Sequence, residues 1–304
     1  MIMVPAPRRR LLALLAGAVV VMSGSSGVAP NPVVAATRWV VSAAEAQRLI
    51  SAGALVLDAR GERLKWGDPV PGAVPVLWQQ FTEPEPSVVG QLLADEAELA
   101  SRLRAVGVRT DVPVVVLGDP LQGWGEDGRI VWMLRSLGHP SAVAVDGGLP
   151  ALRREGLPSI EPAAPPGDFV IARRPDLSIG RDELKSLLGQ PGVVVLDARS
   201  PGEFSGAVRY GELRGGHLPG AASLHFRELM AADGRLLPPE ELQARLAALG
   251  VGPTTMVVTY CTGGVRSAWL AMVLHDLGIG ARSYPGSVWE WAASDPREFP
   301  LVTE

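Results

Sequence analysis

The chain has 304 residues, 47% of them hydrophobic, with 28 basic and 32 acidic side chains and a formal net charge of −4. That length and apolar content allow about two packed domains. The charge balance gives no electrostatic footprint for nucleic acid, and 5% aromatic residues are too few for a base-stacking platform.

In chain order, "PRRR" comes first, then the apolar run "LLALLAGAVVVM", then small and polar residues through "VVAATRW". Charged, apolar and small-residue zones in that order make a secretory signal peptide over residues 1–36, with cleavage after Ala36 or after Ala29. The apolar run rises only about 18 Å as a helix, short of a bilayer core of roughly 30 Å, so no stable membrane insertion is expected. The expected location of the mature chain is periplasmic or secreted.

The next segment, "SAAEAQRLISAG", predicts a helix with Ser42 and Glu45 as a capping box and Gly53 at its end. A repeat then organises the rest. "ALVLDAR" (54–60) returns as "VVVLDAR" (193–199), "PGAVPVLW" from Pro71 as "PGAASLHF" from Pro219, and "VDGGLPAL" (145–152) as "YPGSVWEW" (284–291). "LASRLRAVGVRTDVPVVVL" echoes "LQARLAALGVGPTTMVVTY" in the same order. Short β-branched runs alternate with helical stripes, such as Leu99, Leu103 and Val106 before Gly107, and Leu242, Leu246 and Leu249 before Gly250. The fold class expected is α/β: two tandem units, each a mainly parallel sheet flanked by helices. The divisions expected are 37–160, a linker over 161–175 that begins inside the proline-rich "PSIEPAAPPGD" (158–168), and 176–304.

One cysteine occurs in the whole chain, in "TTMVVTYCTGGVRSAWLAMVLHDLG". An exported protein usually pairs its cysteines, and a lone thiol cannot form an intramolecular disulfide. Cys261 falls at the carboxyl end of a strand, where open α/β sheets bind ligands. The residues Thr262, Gly263, Gly264 and Val265 form a turn whose backbone N–H groups make an anion nest. Arg266 and the N-terminus of a helix expected from Ser267 add positive charge, and together these lower a thiol pKa. Cys261 is therefore read as a nucleophile rather than as a core residue.

With these elements in this order, the chain resembles the rhodanese family of sulfurtransferases over nearly its whole mature length. The resemblance rests on "VVVLDARSPGEFSG", "GGHLPGAASLHF", "VVTYCTGGVRSAW" and "YPGSVWEW". It implies two domains of one fold, the first inactive and the second catalytic. An ungapped alignment of the halves sets Gly118 opposite Cys261, so the first half has no nucleophile. The implied reaction moves sulfane sulfur from thiosulfate, or a similar small anionic donor, through a Cys261 persulfide to a thiol or cyanide acceptor. The loop Thr262–Val265 would stabilise the persulfide. No cofactor is implied, and four scattered histidines with one cysteine give no metal-ligand spacing.

The loop "CTGGVR" departs from both tandem types of the resemblance. The thiosulfate type carries basic residues just after the cysteine, and the mercaptopyruvate type reads Cys-Gly-Ser-Gly-Val-Thr. Glu203 stands where the tandem enzymes often place a substrate arginine. The candidate substrate ligands are Arg266, Arg209 and Arg199. For Arg199 the alternative is an ion pair with Glu203, and for Arg209 a solvated surface position. His217 is expected to be structural, and Trp289 and Trp291 to pack the core. A 3-mercaptopyruvate sulfurtransferase and a non-enzymatic persulfide carrier stand as alternatives. A phosphatase is set aside because the related phosphatase loop has five residues between cysteine and arginine, and here there are four.

Overall fold

The computed structural model describes residues 38–304; the signal-peptide reading of 1–36 lies outside the described residues. The first half runs β1 (Val40–Val41), α1 (Ala43–Ser51), β2 (Leu55–Asp58), α2 (Glu62–Gly67), β3 (Val74–Pro75), α3 (Glu96–Ala105), β4 (Val114–Leu117), α4 (Glu126–Ser136), β5 (Ala142–Val145) and α5 (Gly148–Glu155). Its strands form one parallel sheet in the order β1-β5-β4-β2-β3. The second half runs α6 (Arg181–Leu187), β6 (Val193–Asp197), α7 (Pro201–Phe204), β7 (Ala222–Ser223), α8 (Pro239–Ala248), β8 (Met256–Tyr260), α9 (Val265–Asp276), β9 (Ala281–Ser283) and α10 (Ser287–Ala293). Its strands also pair in parallel, in the order β7-β6-β8-β9. Both faces of each sheet are covered, which is why β4 reads as unbroken "VVVL" and every residue in it is buried.

Local signals explain the helix ends. Ser42 Oγ accepts the Glu45 N–H at 3.2 Å, but Glu45 turns its carboxylate to Arg48, so the capping box forms on one side only. Gly107 and Gly250 follow α3 and α8 with φ of 87° and 82°, the left-handed value a helix end favours. Leu99, Leu103, Leu242 and Leu246 are core, as their spacing predicts. Residues 156–174 carry neither helix nor strand. They cross the first half, bonded through Gly167 N to Arg104 O and Ala172 N to Leu137 O, each at 2.8 Å, with Phe169 fully buried.

The two halves share a core. α4 and α9 pack on each other, and residues Asp127–Ser136 and Arg266–Leu274 are buried on all sides. α9 is apolar on almost every side and must be enclosed; it and α4 each have a sheet on one face and the other helix on the opposite face. Gly125 and Gly128 let α4 approach, since a Cβ at either would meet Trp269 within 2.8 Å. At the far end Asp276 accepts Arg38 Nε at 3.0 Å and the backbone N–H groups of Trp39 and Val40 at 2.8 and 3.0 Å. Among the described residues no helix is long and apolar enough to cross a membrane.

Candidate active site

β8 ends at Tyr260, and the chain turns through Cys261–Gly264 into α9. Gly264 is the N-cap, with φ 81°, so Val265 is already helical and the helix starts two residues before the expected Ser267. Arg266 therefore sits in the first turn. Both glycines are required for separate reasons. Gly264 needs its left-handed φ, and a Cβ there would also stand 2.9 Å from Arg129 Nη1. Gly263 lies so close to Trp289 that a Cβ would overlap the indole ring.

Three of the loop carbonyls are tied outward. Cys261 O accepts the Val288 N–H at 3.1 Å, Thr262 O accepts Trp289 N–H at 2.9 Å, and Gly264 O accepts Arg129 Nη1 at 3.2 Å. That leaves N–H groups inward: Gly264 N donates to Cys261 Sγ at 3.1 Å. Cys261 N donates to Ser287 Oγ at 3.1 Å, and that hydroxyl donates to Tyr284 O at 2.8 Å. Ser287 holds φ 53°, a left-handed value unusual for a non-glycine residue, and its two bonds keep it there.

Cys261 is 1% exposed. Burial pushes its thiol up, but the Arg266 charge, the Ser267 N–H and hydroxyl, and the Gly263 N–H outweigh this and set it below its ordinary value. Arg266 is itself buried and bound end-on by Glu203, with Nη1 to Oε2 and Nη2 to Oε1 both at 2.8 Å. Thr262 Oγ1 donates to Glu203 Oε1 at 2.8 Å and accepts Arg266 Nη2 at 2.7 Å. Burial pushes Glu203 up; Arg266, Ser200 and Thr262 prevail and hold it down at about 2.

Two of the candidate substrate ligands stand away from the cavity. Arg199 neither pairs with Glu203 nor reaches the cavity at Cys261. It is fully buried, with Nη2 on Asp197 Oδ2 at 2.6 Å and on Gly216 O at 2.7 Å. Aspartate two residues earlier on the strand end captures it, and Asp58 does the same to Arg60 at 2.8 Å in the first half. Arg209 also lies outside the cavity lining, exposed beside Gly202. His217 is structural as expected: Nδ1 bonds Phe204 O at 2.9 Å and the ring stacks on Phe204 at 3.5 Å.

A cavity of about 250 Å³ opens over Cys261, with Thr262, Gly263, Val265 and Arg266 in its floor. Tyr210 and Trp289 form one wall; Trp78, Gln79, Trp124 and Glu126 of the first half form the other. Trp289, expected in the core, is instead a partly buried wall bonded through Nε1 to Tyr210 O at 3.0 Å, whereas Trp291 is fully buried as expected. The Arg266 guanidinium faces the Trp124 and Tyr210 rings at 5.3 and 5.6 Å. Trp124 gets there because the first half's turn, Gly118 to Gly125, is longer than Cys261–Gly264. In that turn the Asp127 carboxyl occupies the space a side chain at Gly118 would need, and burial pushes it up to about 7. A similar cavity of about 240 Å³ in the first half stands beside Asp58, Glu62 and Trp66.

The Arg266–Glu203 pair carries the first prediction. Arg266→Ala leaves a buried carboxylate without its partner and should destabilise the fold by about 3–5 kcal/mol, whereas Arg266→Met with Glu203→Gln should recover most of this. The Glu203 pKa is depressed on folding, so its stabilisation is present above the ordinary carboxylate range and lost as pH falls through about 2. Urea midpoints of wild type, single and double variants between pH 7 and 3 check this. A double variant as acid-sensitive as wild type would contradict it.

The family model of the rhodanese-like domain matches residues 180–294. A probable 3-mercaptopyruvate sulfurtransferase of Pseudomonas aeruginosa is 37% identical over 274 residues, 85% of this chain and 95% of that one. A thiosulfate sulfurtransferase of Azotobacter vinelandii is 29% identical over 83% of this chain and 93% of that one. The crystal structure of Tum1 protein from Saccharomyces cerevisiae shares the fold, with a TM-score of 0.73 and 17% identity over 88% of this chain and 99% of that one.

Proposed function

Because the chain belongs to the rhodanese family of sulfurtransferases, we propose that Cys261 takes the outer sulfur of a small anionic donor, thiosulfate foremost, and passes it to a thiol. The observation that carries this is the Cys261 sulfur itself, depressed in pKa, bonded by the Gly264 N–H at 3.1 Å and open to a cavity. In the first step the thiolate attacks the sulfane sulfur. A sulfur–sulfur bond forms to Sγ, the donor's own sulfur–sulfur bond breaks, and sulfite leaves with the electron pair. The terminal persulfide sulfur then carries the charge, and inward N–H groups of Thr262–Val265 stabilise it without any rearrangement. In the second step an acceptor thiolate attacks that sulfur and Cys261 leaves as thiolate, ready for another donor. Cyanide is small enough to serve as acceptor in the same cavity.

No separate base is needed, since donor and acceptor react as anions. At ~30 Å³ per water, the cavity has space for about eight waters, enough for a donor anion and the end of an acceptor thiol together. Its floor has modest net positive charge, because Glu203 offsets Arg266. That favours a second reading: 3-mercaptopyruvate, which carries one carboxylate, as donor. The relative from P. aeruginosa supports it. Sulfite release from thiosulfate and pyruvate release from mercaptopyruvate, measured on one preparation, decide between them. The expected result is a higher kcat/KM with thiosulfate; the reverse order would install the second reading, and no release from either would remove both.

A further inference from the structure

Arg129 is 1% exposed on α4, in the half that has no nucleophile. Arg60, Arg199 and Arg266 are equally buried and each holds a carboxylate. Arg129 does not: among the described residues no carboxylate lies within ion-pair distance of it. Its Nη2 donates to Gly90 O at 2.6 Å and its Nη1 to Gly264 O at 3.2 Å, and its guanidinium lies between the rings of Trp132 and Trp78 at 5.0 and 5.9 Å. A buried cation kept without a counter-ion is costly, and proteins normally pair it. Burial pushes Arg129 down to about 10 and the Cys261 charge opposes this, so it stays protonated at neutral pH.

The residue it grips is the one that faces the sulfur. Gly264 gives its carbonyl to Arg129 and its N–H to Cys261 Sγ. Gly90, the other carbonyl, presses against the same loop; a Cβ there would stand 3.0 Å from Gly263 O. The other charged or titratable groups near the thiol are Arg266 with Glu203 behind it, and Glu126 and Tyr210 at the mouth. Since Glu203 offsets Arg266, the uncompensated positive charge beside the loop is that of Arg129.

We propose that Arg129 is a positioning residue of sulfur transfer: a cation from the first half whose counter-ion is the ionised or persulfurated Cys261 sulfur, and which fixes Gly264 so that its N–H points at that sulfur. The idea rests on the sulfur-transfer reading but is tested apart from it. Cys261 is the only cysteine in the chain, so the rate of iodoacetamide alkylation against pH reports its thiol alone. In the full-length protein Arg129→Met should raise the apparent thiol pKa by about one unit or more, which leaves roughly tenfold less thiolate below that pKa. Arg129→Lys should recover part of the shift, because it restores charge without the planar fork. Arg129→Gln keeps a donor without charge and gives the same readout if the methionine variant does not fold. The kcat for thiosulfate should fall about tenfold in the uncharged variants with little change in KM. An alkylation profile unchanged in a folded, uncharged variant would overturn the proposal. A shifted profile in a protein that transfers no sulfur would keep Arg129's role and remove the sulfurtransferase reading.

Discussion

Cys261→Ser is expected to abolish sulfur transfer, by at least about 10⁴-fold, while leaving the fold in place. A serine hydroxyl is not ionised at neutral pH and forms no persulfide, so the covalent route closes altogether. The structural role survives the exchange. Serine Oγ can accept the Gly264 N–H that now reaches Sγ at 3.1 Å, and the Cys261 N–H to Ser287 Oγ bond is unaffected. No disulfide is lost. The melting temperature should stay within roughly 4 °C of wild type, the shift expected for about 1 kcal/mol in a chain of this size. Mass spectrometry after thiosulfate treatment checks the chemistry: wild type should gain one sulfur atom and the serine variant none. Full transfer activity in the variant would remove Cys261 from the reaction.

Residues 176–304 expressed alone should be poorly folded and transfer sulfur at below ~1% of the full chain's rate. The reason is α9. Ala268, Leu270, Ala271, Met272, Val273 and Leu274 are all at most 1% exposed, and α4 covers part of them. A fully buried large apolar side chain is worth ~1.5–3 kcal/mol, and a whole domain's net stability is only ~5–15 kcal/mol. Uncovering several such residues takes most of that margin and leaves an apolar patch prone to self-association. Arg129 and the Trp78–Trp124 wall would be missing as well. Chemical denaturation and gel filtration of the fragment test this, and supplying residues 37–175 in trans should restore activity. A monomeric fragment that unfolds cooperatively and works at the wild-type rate would refute the claim.

The nucleophile and its loop were legible in the sequence because every relevant signal is local. A β-branched run, a cysteine, two glycines and a helical stripe follow one another within "MVVTYCTGGVRSAWL". The partners of charges were less legible. The sequence offers Arg199 as a substrate ligand or a partner for Glu203, yet Asp197 holds it. The signal was present: residues two apart at a strand end share a face, and "DAR" repeats that spacing in both halves. Glu203 was thereby left to Arg266, 63 positions away, which no local pattern gives. Trp78, Trp124 and Arg129 were missed for the same reason, since they reach the site only through the packing of α4 on α9. Trp289 was misplaced because aromatic spacing on a short helix does not reveal which residue faces a cavity.

The carboxyl of Asp127 has a consequence for how this chain can change. A cysteine introduced at position 118 collides with it, so that substitution alone is damaging. Shrinking Asp127 first opens a hole at the junction of the halves and removes a group held by its own helix's N–H groups, so that order is damaging too. The path to two working sites descends before it rises, whichever step comes first. Meanwhile the enlarged turn that carries Trp124 has become part of the other site's wall. Reshaping it into a tight cysteine loop would dismantle the cavity over Cys261. Any route to a second cysteine loop in the first half therefore costs part of the wall that encloses Cys261.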